Sequence, residues 1–151
     1  MKSLADDRCK AEILRRLENV RPDSSRHWGR MSPHQMVCHL NDSFRMAIGE
    51  RRVSDASGPL QRTIVKWIAL FVPVPWPKTI TTRPEVDQEI GGTCPGDFAA
   101  DIAELRALVE RVASRSVTWA TTHPIFGRMS SSAWLRWSYL HMDHHLRQFG
   151  A

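Results

Sequence analysis

The sequence lacks the marks of secreted, disulfide-rich and membrane-spanning proteins. Its three cysteines are odd in number and form no CxxC pair, so they suggest neither a disulfide framework nor a thiolate zinc knot. The longest apolar run, residues 64–76, contains a lysine and two prolines, and a membrane span needs about 20 apolar residues. Charges stand where a signal peptide would need an apolar stretch. We therefore expect a cytoplasmic protein with no membrane partner.

The sequence also lacks a concentrated basic region. The net charge is +5 and the isoelectric point is near 9.6, but the basic residues are scattered among acidic and apolar ones. Nucleic-acid-binding domains carry their positive charge in a patch or stripe, so the pattern does not favour a nucleic-acid partner. A length of 151 residues fits one domain, which we place at residues 1–151.

Helical periodicity dominates the sequence, and no segment has a convincing strand pattern. The second predicted helix has the clearest start, because Ser32, Pro33 and Gln35 have the spacing of a capping box with proline at the first helical position. Gly49 can end the same helix. We expect an all-α fold with four main helices, at residues 4–20, 33–48, 97–112 and 130–149.

A long connection, residues 50–97, separates the second and third predicted helices. It has a short helical piece at residues 60–71, followed by prolines 73, 75 and 77, which forbid regular helix. Its apolar residues would form a large exposed patch, which predicts a lid or a contact with a second copy of the chain. Five tryptophans are predicted to lie in the core or in a pocket wall: Trp67, Trp76, Trp119, Trp134 and Trp137. His123, before Pro124, is expected to shape a turn.

Three histidines crowd into the last predicted helix, in the stretch HMDHH. Since successive helical residues turn by about 100°, His141 and His145 lie roughly 40° apart on one face. That face also carries Trp134, Trp137 and Gln148, so it points into the protein. His144 lies at the edge of this face.

His39 has the corresponding position on the second helix, where it shares a face with Gln35, Met36, Ser43 and Met46. Each nitrogen of a buried imidazole needs a partner, and one divalent ion would serve His39, His141 and His145 together. Three imidazoles suit Zn, Ni or Fe. A metal-free core of hydrogen-bonded histidines and tryptophans is the alternative.

The spacing does not match a metalloprotease, in which a glutamate follows the first histidine of HExxH and acts as the general base. Met142 occupies that position. No base is evident elsewhere, although Asp42, one helical turn from His39, is a weak candidate. The catalytic residues stay unassigned.

The motifs MVCHL and HMDHHLRQ together resemble the DinB superfamily of small metal-binding proteins, and the stretches VPWPKTITTRPEVD and GGTCPGDF resemble a DinB-like subfamily of unknown function. The resemblance implies a four-helix bundle with one long crossover that contains a short extra helix and a proline-rich loop. It implies His39, His141 and His145 as metal ligands, His144 as a non-ligating neighbour and Gln148 beside the site. Arg147 stands where the commoner closing motif has glycine.

Better understood members of that superfamily are thiol-dependent transferases and isomerases. The resemblance therefore implies a metal-dependent enzyme that acts on a small molecule, as a transferase using a low-molecular-weight thiol or as a hydrolase. A non-catalytic binder of a metal or small molecule is the alternative. A role in DNA damage, which the superfamily name suggests, would require salt-sensitive DNA binding.

Overall fold

The computed structural model describes residues 1–78 and 80–151, and this part of the chain is mostly helical. It confirms the all-α prediction in outline, although a small two-stranded sheet is present as well. None of the described helices combines the length and hydropathy that a bilayer crossing requires. The elements are α1 (Asp7–Leu17), α2 (Pro33–Ala47), α3 (Lys66–Phe71), α4 (Phe98–Ala113), β1 (Thr122–His123), β2 (Gly127–Arg128) and α5 (Ser131–Gln148).

The predicted capping box starts α2. The Ser32 hydroxyl accepts a hydrogen bond from the Gln35 backbone N–H, and the Gln35 side chain accepts one from the Ser32 N–H. At the other end, Gly49 takes a φ of 76°, in the left-handed region that suits glycine. Asp97 and Ser130 cap α4 and α5 in the same way as Ser32. The predicted limits of these three helices are thus close to the observed ones.

The predicted limits of the first helix, residues 4–20, are wrong at both ends. The Asp6 carboxylate accepts hydrogen bonds from two backbone N–H groups of the first turn, so α1 begins only at Asp7. Leu4 and Val20 are buried but lie outside the helix. Apolar residues that pack just beyond a helix end extend its periodicity in the sequence without extending the helix.

Four long helices make the central contacts. Helix α2 contacts α4 and α5, and α1 contacts the same two helices; α3 packs on α5. Apolar side chains of α1, α2, α4 and α5 share one large core cluster. A second cluster, richer in tryptophan, lies around Leu70, Phe126, Trp134 and Trp137.

The long connection is fastened to α2 through Asp42. The side chain of Asp42 is fully buried, and its carboxylate accepts hydrogen bonds from Arg51 Nη1 at 2.8 Å, Gln88 Nε2 at 3.0 Å, and the backbone N–H and hydroxyl of Thr93 at 2.8 and 2.7 Å. Within the connection, a π-helical turn (Gln61–Val65) leads into α3, and a 3-10 turn spans Pro84–Val86. This anchoring places Val86 beside α2.

The small sheet is a tight hairpin that the sequence pattern does not predict. Thr122 pairs with Arg128, and His123 pairs with Gly127. His123 Nδ1 accepts hydrogen bonds from the backbone N–H groups of Ile125 and Phe126, which confirms that His123 shapes the turn. Strands of two residues are too short to show an alternating pattern.

Trp67 does not lie in the core or in a pocket wall, and that prediction is wrong. Its side chain is 61% exposed, because the short helix α3 buries one face through Leu70 and leaves Trp67, Ile68 and Phe71 outside. Trp134 and Trp137 are buried as predicted, and Trp76 and Trp119 are half-buried.

Candidate metal centre

Helices α2 and α5 bring His39, His141 and His145 together in the interior. All three are buried, with exposures of 5%, 9% and 6%. The Nε2 atom of His141 lies 3.2 Å from Nε2 of His39 and 3.1 Å from Nε2 of His145. The three rings thus converge through their Nε2 atoms and form a group that could hold a metal ion.

The tautomer of His39 is fixed by a backbone carbonyl. His39 Nδ1 lies 2.7 Å from the carbonyl oxygen of Val86. Because a carbonyl can only accept a hydrogen bond, Nδ1 carries the proton. In the neutral ring, Nε2 of His39 therefore presents a lone pair to the centre.

The tautomer of His145 is fixed through Gln148. The Gln148 Nε2 group donates to the carbonyl oxygen of Trp28 at 2.8 Å, so the amide oxygen is the atom that lies 3.0 Å from His145 Nδ1. That oxygen accepts the Nδ1 proton. His145 therefore also presents the lone pair of Nε2 to the centre.

His141 cannot satisfy both of these lone pairs. A neutral His141 has one N–H, and even when Nε2 carries it, one hydrogen cannot make two good hydrogen bonds. Its Nδ1 has no hydrogen-bond partner among the described residues. Neutral imidazoles alone thus leave a buried acceptor unpaired, which costs roughly 1–3 kcal/mol.

A divalent cation fits this donor set. Tetrahedral ligands about 2.0–2.1 Å from zinc stand about 3.3 Å from one another, close to the 3.1 and 3.2 Å separations of the Nε2 atoms. Metal-bound histidines commonly donate their other N–H to a carbonyl or a similar acceptor, as His39 and His145 do. The residues present therefore match a three-histidine site for a divalent metal ion.

The electrostatics keep these imidazoles neutral, as metal ligands must be. Burial lowers the pKa of His39. Burial and the neighbouring histidines lower the pKa of His141 and of His145 well below the ordinary value. A proton is therefore a poor substitute for a metal ion at this centre.

Aromatic side chains enclose the centre. The ring of Trp137 lies 4.7 Å from that of His141, and Trp76, from the proline-rich segment, lies 6.1 Å from the same ring. Trp76 is held by its indole N–H, which donates to the carbonyl oxygen of Ala69 in α3. Trp28 contributes a third wall next to His144.

The near-site candidates have different positions. Gln148 contacts His145 directly. His144 is buried between Trp28 and Trp76, and its Nδ1 has no partner among the described residues; burial lowers the pKa of His144 to about 4. Asp42 does not join the histidine group, because its carboxylate is occupied by the long connection.

The sequence does not predict two groups that build the site, the carbonyls of Val86 and Trp28. Backbone carbonyls carry no residue-type signal, so no motif could have identified them. Trp76 lies against the His141 ring, which agrees with its predicted place in the core or in a pocket wall.

A family model described as "Protein of unknown function (DUF1569)" matches residues 2–151. No curated protein and no solved structure matches the chain. The match covers nearly the whole chain and assigns no reaction to it.

Proposed function

This chain belongs to the DUF1569 family, and we propose that it is a metal-dependent enzyme that acts on a small molecule. His39, His141 and His145 are the proposed ligands of one divalent ion, each through Nε2. The observation that carries the proposal is the pair of fixed tautomers, which aims the lone pairs of His39 and His145 at His141 Nε2.

The ligand set favours catalysis over a purely structural role. Structural zinc sites usually have four protein ligands, whereas catalytic sites have three and keep one position for water or substrate. Only three ligand side chains meet here in the described part of the chain. Three neutral imidazoles leave the double positive charge of the ion uncompensated, so a bound ion would act as a Lewis acid that lowers the pKa of a thiol or water.

The surrounding residues supply positioning and a dry environment. Val86 and Gln148 hold two rings in one tautomer, and Trp28, Trp76 and Trp137 exclude water from the centre. His144, buried next to His145, is the proposed side chain that contacts a bound substrate.

The resemblance to the DinB superfamily supports a thiol as substrate or cofactor. We propose that α1, α2, α4 and α5 form the four-helix bundle of that superfamily within one domain, with the centre between α2 and α5. Their mutual contacts agree with this arrangement. A transferase that uses a low-molecular-weight thiol is the favoured reaction, and a hydrolase is the second choice.

The burial of the three histidines favours the alternative function, a non-catalytic metal-binding protein. All three ligand histidines are at most 9% exposed, as expected for a closed site in a protein that binds metal without catalysis. An enzyme with this centre must move Trp28 or Trp76 to admit a substrate.

The test is metal-dependent loss of a thiol. Zinc-, nickel- or iron-loaded protein is incubated with cysteine- or glucosamine-based thiols and a small electrophile, and free thiol is followed over time. We expect loss that depends on the metal, disappears in His145→Ala and persists in His27→Ala, in which an exposed histidine is replaced. Metal binding without loss of any of these thiols would favour the non-catalytic binder.

A further inference from the structure

A second cluster of metal-ligand side chains lies between α2 and α4. His34 and Cys38 are four residues apart on α2, and Asp101 stands in the first turn of α4. Asp101 Oδ2 lies 2.6 Å from His34 Nε2 and 3.6 Å from Cys38 Sγ. The three ligand atoms lie within 4.8 Å of one another.

This cluster is separate from the three-histidine centre although both use α2. Cys38 and His39 are adjacent, so their side chains diverge by about 100° around the helix. His39 points toward α5, whereas His34 and Cys38 point toward α4. The two groups share no residue.

One carboxylate oxygen in this cluster faces three hydrogen-bond donors. Asp101 Oδ2 accepts hydrogen bonds from His34 Nε2, from Cys38 Sγ and, at 3.3 Å, from the Gly96 backbone N–H. A carboxylate oxygen has about two lone-pair sites. Three donors on one oxygen therefore compete, and a cation that takes the place of two donor protons would remove the competition.

We propose that His34, Cys38 and Asp101 form a second divalent metal site, suited to a thiophilic ion such as Zn²⁺. Nitrogen, sulfur and oxygen donors from these residue types are all zinc ligands, and three of them leave a fourth position for water. The thiolate sets this site apart from the all-imidazole centre and favours softer ions.

The distances require one small movement. In a tetrahedral zinc site, a sulfur and an oxygen ligand stand about 3.6 Å apart and a nitrogen and an oxygen about 3.3 Å apart. The Cys38–Asp101 separation of 3.6 Å already fits. The His34–Asp101 separation of 2.6 Å must widen, and the His34 side chain, 20% exposed and packed edge-on against Phe98, has room to rotate.

Charge also favours a cation. A metal-bound cysteine is a thiolate, so Cys38 and the Asp101 carboxylate would together balance the charge of a divalent ion. A bound ion would link α2, through His34 and Cys38, to the first turn of α4, through Asp101.

The test is Co²⁺ titration followed by absorption spectroscopy, since thiolate-bound Co²⁺ gives an intense near-ultraviolet charge-transfer band that imidazole-bound Co²⁺ lacks. We expect the His145→Ala protein, with the three-histidine centre disabled, to bind one Co²⁺ with this band. Cys38→Ser in the same background should lose the band, and Cys94→Ser, which replaces an exposed cysteine, should keep it.

Two further variants test the other ligands and do not depend on how well Cys38→Ser folds. His34→Gln and Asp101→Asn should each weaken Co²⁺ binding by more than about tenfold. A band that survives in Cys38→Ser, or no thiolate band in the His145→Ala protein, would overturn the proposal. Neither result bears on the three-histidine centre, because every sample lacks it.

Discussion

At the scale of single residues, the decisive feature is a chain of hydrogen bonds that ends at a lone pair. The Trp28 carbonyl orients the Gln148 amide, the amide oxygen holds the proton of His145 on Nδ1, and Nε2 is left as a metal ligand. Loss of such an outer contact typically lowers metal affinity by about 10- to 100-fold.

Replacement of Gln148 tests this chain. Gln148→Leu removes the acceptor for His145 Nδ1–H, so we expect metal affinity to fall about 10- to 100-fold. Gln148→Glu keeps an acceptor and should retain more affinity than the leucine variant. Competition with a chromophoric chelator gives both values; equal affinity in Gln148→Leu and wild type would contradict the assigned tautomer.

The buried His123 is expected to make the folded protein less stable at acidic pH. Burial lowers the pKa of His123 from 6.5 to about 3, so between these values the unfolded chain binds a proton that the folded protein does not. The free energy of unfolding is therefore retained above pH 6.5 and falls as the pH drops toward 3.

We expect His123 alone to contribute a slope that approaches about 1.4 kcal/mol per pH unit midway between pH 6.5 and pH 3 in the metal-free protein. Urea unfolding at several pH values between roughly 5.5 and 4 measures it. His123→Gln should flatten the curve by that amount, and His27→Ala, at an exposed position, should not. An unchanged slope in His123→Gln would show that His123 is protonated in the folded protein.

At the scale of elements, the proline-rich segment covers the centre through Trp76, which is anchored to α3. Aromatic contacts are worth about 0.5–1.5 kcal/mol each beyond burial. A covered metal ion should exchange slowly, because a chelator or substrate can reach it only when the cover moves.

Trp76→Ala should therefore speed metal extraction by EDTA, by about tenfold for a loss of roughly 1.4 kcal/mol from the barrier. Trp67→Ala is the matched control, since Trp67 belongs to the same long connection, in α3, but is exposed. Stopped-flow extraction rates that rise equally in both variants would argue against Trp76 as the cover.

The sequence predicted the helix starts well but did not predict the contacts between distant segments. Capping residues such as Ser32 and Asp97 mark helix starts because they bond neighbours in the sequence, and helical periodicity was enough to align His141 with His145. The role of Asp42 was not predictable, because its partners Arg51, Gln88 and Thr93 come from the long connection. Contacts between distant segments leave no local pattern.

At the scale of the whole molecule, one surface is unusually apolar. Residues of the π-helical turn, α3 and the following segment are exposed: Leu60, Ile64, Val65, Trp67, Ile68, Phe71, Val74 and Ile80. Large exposed apolar patches mark interaction surfaces, so the predicted contact with a second copy of the chain has a surface that suits it.

We expect a homodimer through this surface, with at least about 1,200 Å² buried in total. Sedimentation velocity at micromolar concentration should show a dimer for wild type and a monomer for Trp67→Asp. Lys78→Asp, which adds an acidic residue at an exposed position near the surface, is the control and should stay dimeric. A monomeric wild type at all concentrations would exclude this use of the surface.

The central claim concerns the ion, and metal content tests it most directly. Untagged protein, purified without chelators, is analysed by inductively coupled plasma mass spectrometry as wild type, His39→Ala, His145→Ala and His27→Ala. We expect both ligand variants to hold about one equivalent of Zn, Ni or Fe less than wild type and His27→Ala to lose none. Equal content in all four proteins, or a wild type that takes up no metal on reconstitution, would make the three histidines a packed cluster and contradict the account.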